Sequence, residues 1–248
     1  MSGLTRRDFI EALGCGAVAL LVPRGVARAQ APASAPADYN WEEHLFCYLI
    51  DVKKCIGCGM CVRACQREND VPDDFYRTWV ERYLVSLHDV YVDSPKGALD
   101  GFGPVQTPFE PTKGFFVPKL CNHCKETPCV QVCPVGASYR TKDGLVLVDE
   151  KRCIGCGYCV QSCPYGSRFM NPRTHTADKC TWCYHRITRG LLPACVQACP
   201  TAARRFGDLK REDDPVRKII ATEPVRVLQP ELLTEPRCFY LGMDREVR

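Results

Sequence analysis

Sixteen of the chain's 19 cysteines fall into four groups of four. The first is Cys55, Cys58, Cys61 and Cys65, and the third is Cys153, Cys156, Cys159 and Cys163; both read C-x2-C-x2-C-x3-C. The second, Cys121, Cys124, Cys129 and Cys133, opens the middle gap to four residues, and the fourth, Cys180, Cys183, Cys195 and Cys199, opens it to eleven. Groups two, three and four end in Cys-Pro, group one in Cys65-Gln66. Three thiols on a tight loop suit one iron–sulfur cubane, and the spacing with its terminal Cys-Pro is the bacterial two-cluster pattern. Gly57, Gly59, Gly155 and Gly157 let the backbone approach and aim amides at inorganic sulfur.

Two other uses of the cysteines compete with this one. Zinc takes four ligands as two separated pairs. Group four alone has that look, whereas groups one and three pack three close cysteines with glycine between them. Disulfides suit an exported protein, but cysteines three residues apart on one loop are poorly placed to bridge. The reading is therefore four [4Fe–4S] clusters. In the two-cluster pattern the fourth cysteine of a group ligates the other cluster. Neighbouring groups two and three then give one site of Cys121, Cys124, Cys129 and Cys163, and another of Cys153, Cys156, Cys159 and Cys133. Groups one and four pair across the chain, as Cys55, Cys58, Cys61 and Cys199, and as Cys180, Cys183, Cys195 and Cys65.

The elements that must hold these sites are partly visible. Phe46–Val52 is an apolar strand-like run into group one, and Trp79–Val92 has strand composition. Ser138–Val148 reads as a hairpin turning at Asp143-Gly144. A short helix is expected after the third cysteine of each group, ending near the proline. Residues 94–118 hold five Pro and four Gly and read as an irregular loop insertion. The charged, proline-punctuated tail 208–248 is expected to be extended and to wrap the core or a partner. The fold class is α+β. The expected segments are a leader 1–29, a linker 30–44, a domain of groups one and four from 45–120 and 164–207, a domain of groups two and three at 121–163, and a docking tail.

Residues beside the ligands receive plainer roles. Cys47 and Cys238 read as buried free thiols, and Cys15 as an apolar filler of the leader. His123 and His185 read as supporting residues, because sixteen cysteines already complete four sites. Lys53, Lys54, Lys151, Arg152 and Lys179 either offset cluster charge or are simply solvated. Trp182 reads as a shield against water. No catalytic set of Ser, His and Asp, phosphate loop or carboxylate pair stands out.

Thr5-Arg6-Arg7-Asp8-Phe9, an apolar run over 13–22 and Ala27-Arg28-Ala29 make a three-part signal peptide of twin-arginine type. That route exports folded proteins to the periplasm or the outer face of the membrane, which suits clusters inserted beforehand. No later segment has 18 consecutive apolar residues, so membrane association is expected through a partner. The formal charge of +4 includes the leader, with four Arg against Asp8 and Glu11. Four oxidised clusters at about −2 each reverse the sign, so the basic residues make no case for nucleic acid.

The stretches Cys121-Asn122-His123-Cys124, Cys153-Ile154-Gly155-Cys156-Gly157-Tyr158-Cys159 and Ala177-Asp178-Lys179-Cys180-Thr181-Trp182-Cys183 resemble the four-cluster iron–sulfur subunits of the dimethyl sulfoxide reductase superfamily. Gly190-Leu191-Leu192-Pro193-Ala194-Cys195 and Phe239-Tyr240-Leu241-Gly242 resemble the tetrathionate reductase branch. The resemblance implies two ferredoxin-like, two-cluster domains in pseudo-twofold arrangement and supports the crossed pairing of groups one and four. It implies a non-catalytic electron-transfer subunit that relays electrons between a quinone-reactive membrane-anchor subunit and a molybdopterin catalytic subunit. The alternatives are a quinone-to-multihaem-cytochrome link and a free soluble polyferredoxin.

Overall fold

The computed structural model describes residues 35–247. The leader, Cys15 and the start of the linker lie outside them. Eleven strands form two sheets and two hairpins among these residues. The strands are β1 (Phe46–Asp51), β2 (Thr78–Val85), β3 (Val90–Asp93), β4 (Lys113–Leu120), β5 (Ser138–Arg140), β6 (Val146–Val148), β7 (Arg168–Met170), β8 (Ala177–Lys179), β9 (Arg204–Asp208), β10 (Val225–Arg226) and β11 (Cys238–Leu241). The larger sheet has the order β10-β11-β1-β9 and the smaller β3-β2-β4. β5 pairs with β6 and β7 with β8.

β1 is buried along its whole length, because both of its faces are covered. Phe46, Tyr48 and Ile50 enter the main core with Trp182 and Tyr240. Cys47 and Leu49 face the other way, against Val216 and Ile219. Those two residues belong to the helix Pro215–Thr222, which Asp214 caps by accepting the Val216 and Arg217 amides while Pro215 opens the first turn. The charged tail thus contains an ordinary capped helix. It also supplies β11, which runs parallel to β1 with Tyr48 opposite Cys238. The tail wraps the core, which is one of the two courses expected for it.

The stretch expected to be irregular is so only in part. Pro95–Ala98 is a 3-10 turn, but Lys113–Leu120 is a strand that pairs along all of β2. Pro118 is tolerated because β4 is an edge strand, where a missing amide costs no ladder bond. Composition concealed this strand, since Pro and Gly are counted without their place in the ladder.

Each cysteine group sends one helix out of its loop: α1 (Met60–Asn69), α2 (Pro128–Gln131), α3 (Tyr158–Gln161) and α5 (Ala194–Gln197). A further turn, α4 (Tyr184–Ile187), follows Cys183; the tail helix is α6. The third cysteine lies within each helix rather than before it. Three helices stop one residue short of a Cys-Pro, because a proline disfavours the helical conformation of the residue before it. Group one has Gln66 instead, and α1 runs on through Cys65 to Asn69, where Asp70 ends it in the left-handed region.

Candidate functional site

Cys55, Cys58, Cys61 and Cys199 line one cavity, together with Val80, Pro118 and Arg204. Cys121, Cys124, Cys129 and Cys163 line a second, together with Asn122 and Arg168. Each cavity takes three thiols from one group and its fourth from another. Cys65, buried on α1, lies among Cys180, Cys195 and Cys183, whose neighbouring charges add to the burial that raises its thiol. Asn69 Nδ2 reaches both ends of that set, 3.5 Å from Cys65 Sγ and 3.7 Å from Cys183 Sγ. The remaining cysteines are Cys133, Cys153, Cys156 and Cys159; here α2 packs against α3, bringing the helix that precedes Cys133 onto the one that carries Cys159. Among the described residues no three His, Cys, Asp or Glu side chains converge as a single-ion site. Thiols spread around a cavity fit a cubane that fills it, whereas zinc draws four sulfurs to about 2.3 Å from one point.

Burial dominates the thiol chemistry. It pushes Cys55 up to about 11 against the pull of the Gly57 amide, and Cys124 up to about 12 with help from Cys121. Cys183 rises to about 11 through burial and the neighbouring Cys195. Gathering such thiols without iron is unfavourable; cationic iron takes them as thiolates and removes the repulsion. Cys133 and Cys199 behave differently. Burial raises them, but backbone amides after each Cys-Pro outweigh it and hold both below the usual thiol range. For Cys133 the Ser138 amide donates at 3.4 Å. The proline turns the chain so that its next amides face the sulfur it has just passed, the concave amide arrangement that favours anions.

Other donors aim at sulfur as well. The Ala177 amide lies 3.4 Å from Cys153 Sγ, the Trp182 amide 3.4 Å from Cys180 Sγ, and the Tyr48 hydroxyl 3.2 Å from Cys195 Sγ. Gly155, at φ +71°, shows why the repeat keeps glycine, since a Cβ there would stand 2.6 Å from the His175 carbonyl. The chemistry of the donor set fits [4Fe–4S] clusters.

His123 is fully buried and neutral, its pKa driven down by burial and then by Lys179. Its Nδ1 accepts the Val146 amide at 2.9 Å, so Nε2 carries the proton and donates to the Cys180 carbonyl at 3.0 Å. Trp182 Nε1 donates to the Cys121 carbonyl at 3.1 Å, and its ring lies 4.3 Å from that of His123. These contacts fasten group two to group four. Lys179 is buried beside them and donates to the Cys180 carbonyl at 2.6 Å, so it is no solvated lysine. Lys53, Lys54, Lys151 and Arg152 are exposed. His185 pairs with Glu68 at 2.7 Å, away from any ligating role. Cys47 and Cys238 are buried free thiols, as expected. Sequence reasoning passed over Arg168 and Arg204, both buried and both lining thiol cavities. A signal was present, because each stands five residues after the cysteine of a Cys-Pro.

Comparison with known proteins agrees with this chemistry. Two family models, each described as a 4Fe-4S dicluster domain, match residues 54–137 and 112–209. A tetrathionate reductase subunit of Salmonella typhimurium is 42% identical over 97% of this chain and 89% of its own length. Its namesake from Archaeoglobus fulgidus is 46% identical over 80% of this chain and 82% of its own. A polysulfide reductase polypeptide of Wolinella succinogenes is 39% identical over 79% and 93%. The protein carries four [4Fe–4S] clusters and serves electron transfer. It belongs to the four-cluster iron–sulfur subunits of the dimethyl sulfoxide reductase superfamily.

Proposed function

We propose that the chain is the electron relay of an exported respiratory reductase. Its ligand sets are Cys55, Cys58, Cys61 and Cys199; Cys180, Cys183, Cys195 and Cys65; Cys121, Cys124, Cys129 and Cys163; and Cys153, Cys156, Cys159 and Cys133. Groups one and four make one two-cluster domain and groups two and three the other, in pseudo-twofold arrangement. Each cluster, when bound, supplies a site that accepts and returns one electron. The protein's part is to hold the sites in place, to keep water from the inner ones, and to set potentials through burial and hydrogen bonds to sulfur.

The observation that carries this reading is the contrast in exposure between the sites. All four cysteines of the set on α1, α5 and the Cys180 loop are buried. Cys58 and Cys156 are exposed, and each is flanked by large apolar side chains open to solvent, Ile56 and Met60 in one loop, Ile154 and Tyr158 in the other. Singly exposed apolar residues are ordinary. Two apolar rims, each around an exposed ligand, suit docking of an electron donor and an electron acceptor.

The partners proposed are a molybdopterin catalytic subunit acting on a tetrathionate-, polysulfide- or sulfoxide-type substrate, and a quinone-reactive membrane anchor. No helix among the described residues is long and apolar enough to cross a membrane, so attachment runs through that anchor. The leader places the complex in the periplasm or on the outer membrane face by the twin-arginine route. The test is metal and haem analysis of the complex purified anaerobically with this chain. Molybdenum or tungsten beside the iron of four clusters is expected. Haem without either metal overturns the proposal in favour of a quinone-to-cytochrome link.

A further inference from the structure

Two arginines that no motif requires are placed alike in the two halves of the protein. Cys163-Pro-Tyr-Gly-Ser-Arg168 and Cys199-Pro-Thr-Ala-Ala-Arg204 have the same spacing, and each arginine opens a strand, β7 or β9. Arg204 is 2% exposed and Arg168 4%. Arg204 lines the cavity of Cys55, Cys58, Cys61 and Cys199, and Arg168 that of Cys121, Cys124, Cys129 and Cys163. A buried guanidinium is costly unless its charge and its donors are met. The protein meets them incompletely. Arg204 Nη2 donates to Thr78 Oγ1 at 2.8 Å and the guanidinium also interacts with the Tyr48 hydroxyl, but no well-aligned hydrogen bond satisfies Nε or Nη1 among the described residues. Arg168 donates to Ser138 Oγ and Cys129 Sγ, each at 3.0 Å, and its Nε has no such partner. No carboxylate among the described residues pairs with either arginine, whereas half-buried Arg77 has Asp178 at 2.8 Å. Beyond those hydroxyls, the anionic groups that both face are cysteine sulfurs.

Each charge is also shared between two sites. Arg168 interacts with Cys129 of one set and Cys159 of the other set in its pair. Arg204 interacts with Cys61 of one set and Cys195 of its partner set. These four residues are the third cysteines of the four groups, each in the first turn of its helix. A cation at that place interacts with cysteines of both sites of a pair.

We propose that Arg204 and Arg168 are the potential-setting cations of the two cluster pairs, each stabilising the reduced state at both sites of its own pair. This rests on the ligand sets proposed above. Reduction adds negative charge in a poorly screened interior, and a fixed guanidinium lowers the free energy of that added charge. Arginine suits the task, since it stays charged when buried and offers a fork of donors to two anionic neighbours. The pairs are thereby adjusted separately, so that one half of the relay can be raised or lowered without the other.

The test is an EPR-monitored redox titration of the purified complex carrying Arg204→Gln or Arg168→Gln, with iron content measured alongside. Arg204→Gln is expected to lower two of the four midpoint potentials, cutting the reduced-to-oxidised ratio about tenfold at fixed potential, or 59 mV for one electron. Arg168→Gln is expected to lower the other two. Arg204→Lys and Arg168→Lys keep the charge and are expected to retain the iron of four clusters and all four potentials. A full iron complement with no potential moved in either glutamine variant overturns the proposal, and so does an equal shift of all four. If the glutamine variants lose iron, the lysine variants decide: loss of iron there too makes the arginines packing residues and overturns it. Cysteine variants that assign each signal to a ligand set are read independently, and a contradiction there sinks the sets themselves.

Discussion

Asn69 and Cys163 show how single side chains join motifs far apart in the chain. Asn69 donates to Cys65 of its own helix and to Cys183, more than a hundred residues later. Cys163 closes group three in the sequence but lies with Cys121, Cys124 and Cys129 in the structure. If the fourth cysteine belongs to the other group's site, Cys163→Ala and Cys129→Ala delete or convert the same EPR signal. Cys163→Ala and Cys159→Ala then affect different ones, and each variant leaves the iron of the other three clusters in place. Loss of one shared signal in Cys163→Ala and Cys159→Ala would show that each group keeps its own cluster. At this scale the four cysteine groups are legible in the sequence, because ligand spacing is itself the chemistry. It missed Arg168 and Arg204, since a lone arginine in a sequence does not announce burial. It also left Lys179 undecided, because only packing tells a buried lysine from a solvated one.

The helices differ for a local reason with a consequence for the site. After Cys133, Cys163 and Cys199 a proline ends the helix, and the amides that follow turn onto sulfur. After Cys65 there is Gln66, the helix continues, and its last turn carries Asn69 to the buried ligand set. Gln66→Pro would make group one like the others and is expected to end α1 before Cys65. Proline inside a helix costs about 3 kcal/mol, and Asn69 would leave Cys65 and Cys183. The expected readout is a faster release of one cluster's iron to a chelator, with the other three retained. Unchanged iron release would mean that the α1 extension does not support that site. The hairpin at 138–148 and the strand into group one were legible from alternation and turn chemistry. β4 was not, because edge pairing tolerates the very proline that argued against a strand.

Across the whole molecule the tail decides the architecture. β11 lies beside β1 although some 190 residues separate them, and Tyr240, fully buried, donates to the Pro118 carbonyl at 3.2 Å. This hydroxyl, like the Arg204–Thr78 hydrogen bond, ties the larger sheet to the smaller. Tyr240→Phe is expected to leave the clusters in place and to cost about 1–3 kcal/mol, because it strands a buried carbonyl. The midpoint of urea unfolding followed by loss of cluster absorbance would measure it, and an unchanged midpoint would show that the bond contributes nothing. Asp214-Pro215 was a readable helix start, a side-chain cap followed by proline at the first helical position, in a segment whose charge invited an extended reading.

Spacing alone determined that this protein holds iron and how many clusters it carries, and it laid out which cysteines would reach across between groups, because a cubane imposes its geometry on a short loop whatever surrounds it. Local turn chemistry determined the hairpin and the helix ends. Only the tertiary structure decided which cations lie buried among the thiols, which ligands meet solvent, and where the tail returns. Those outcomes depend on contacts between residues distant in the chain, formed when many weak apolar terms act together, so a local pattern such as an arginine five residues after a Cys-Pro cysteine does not by itself reveal burial.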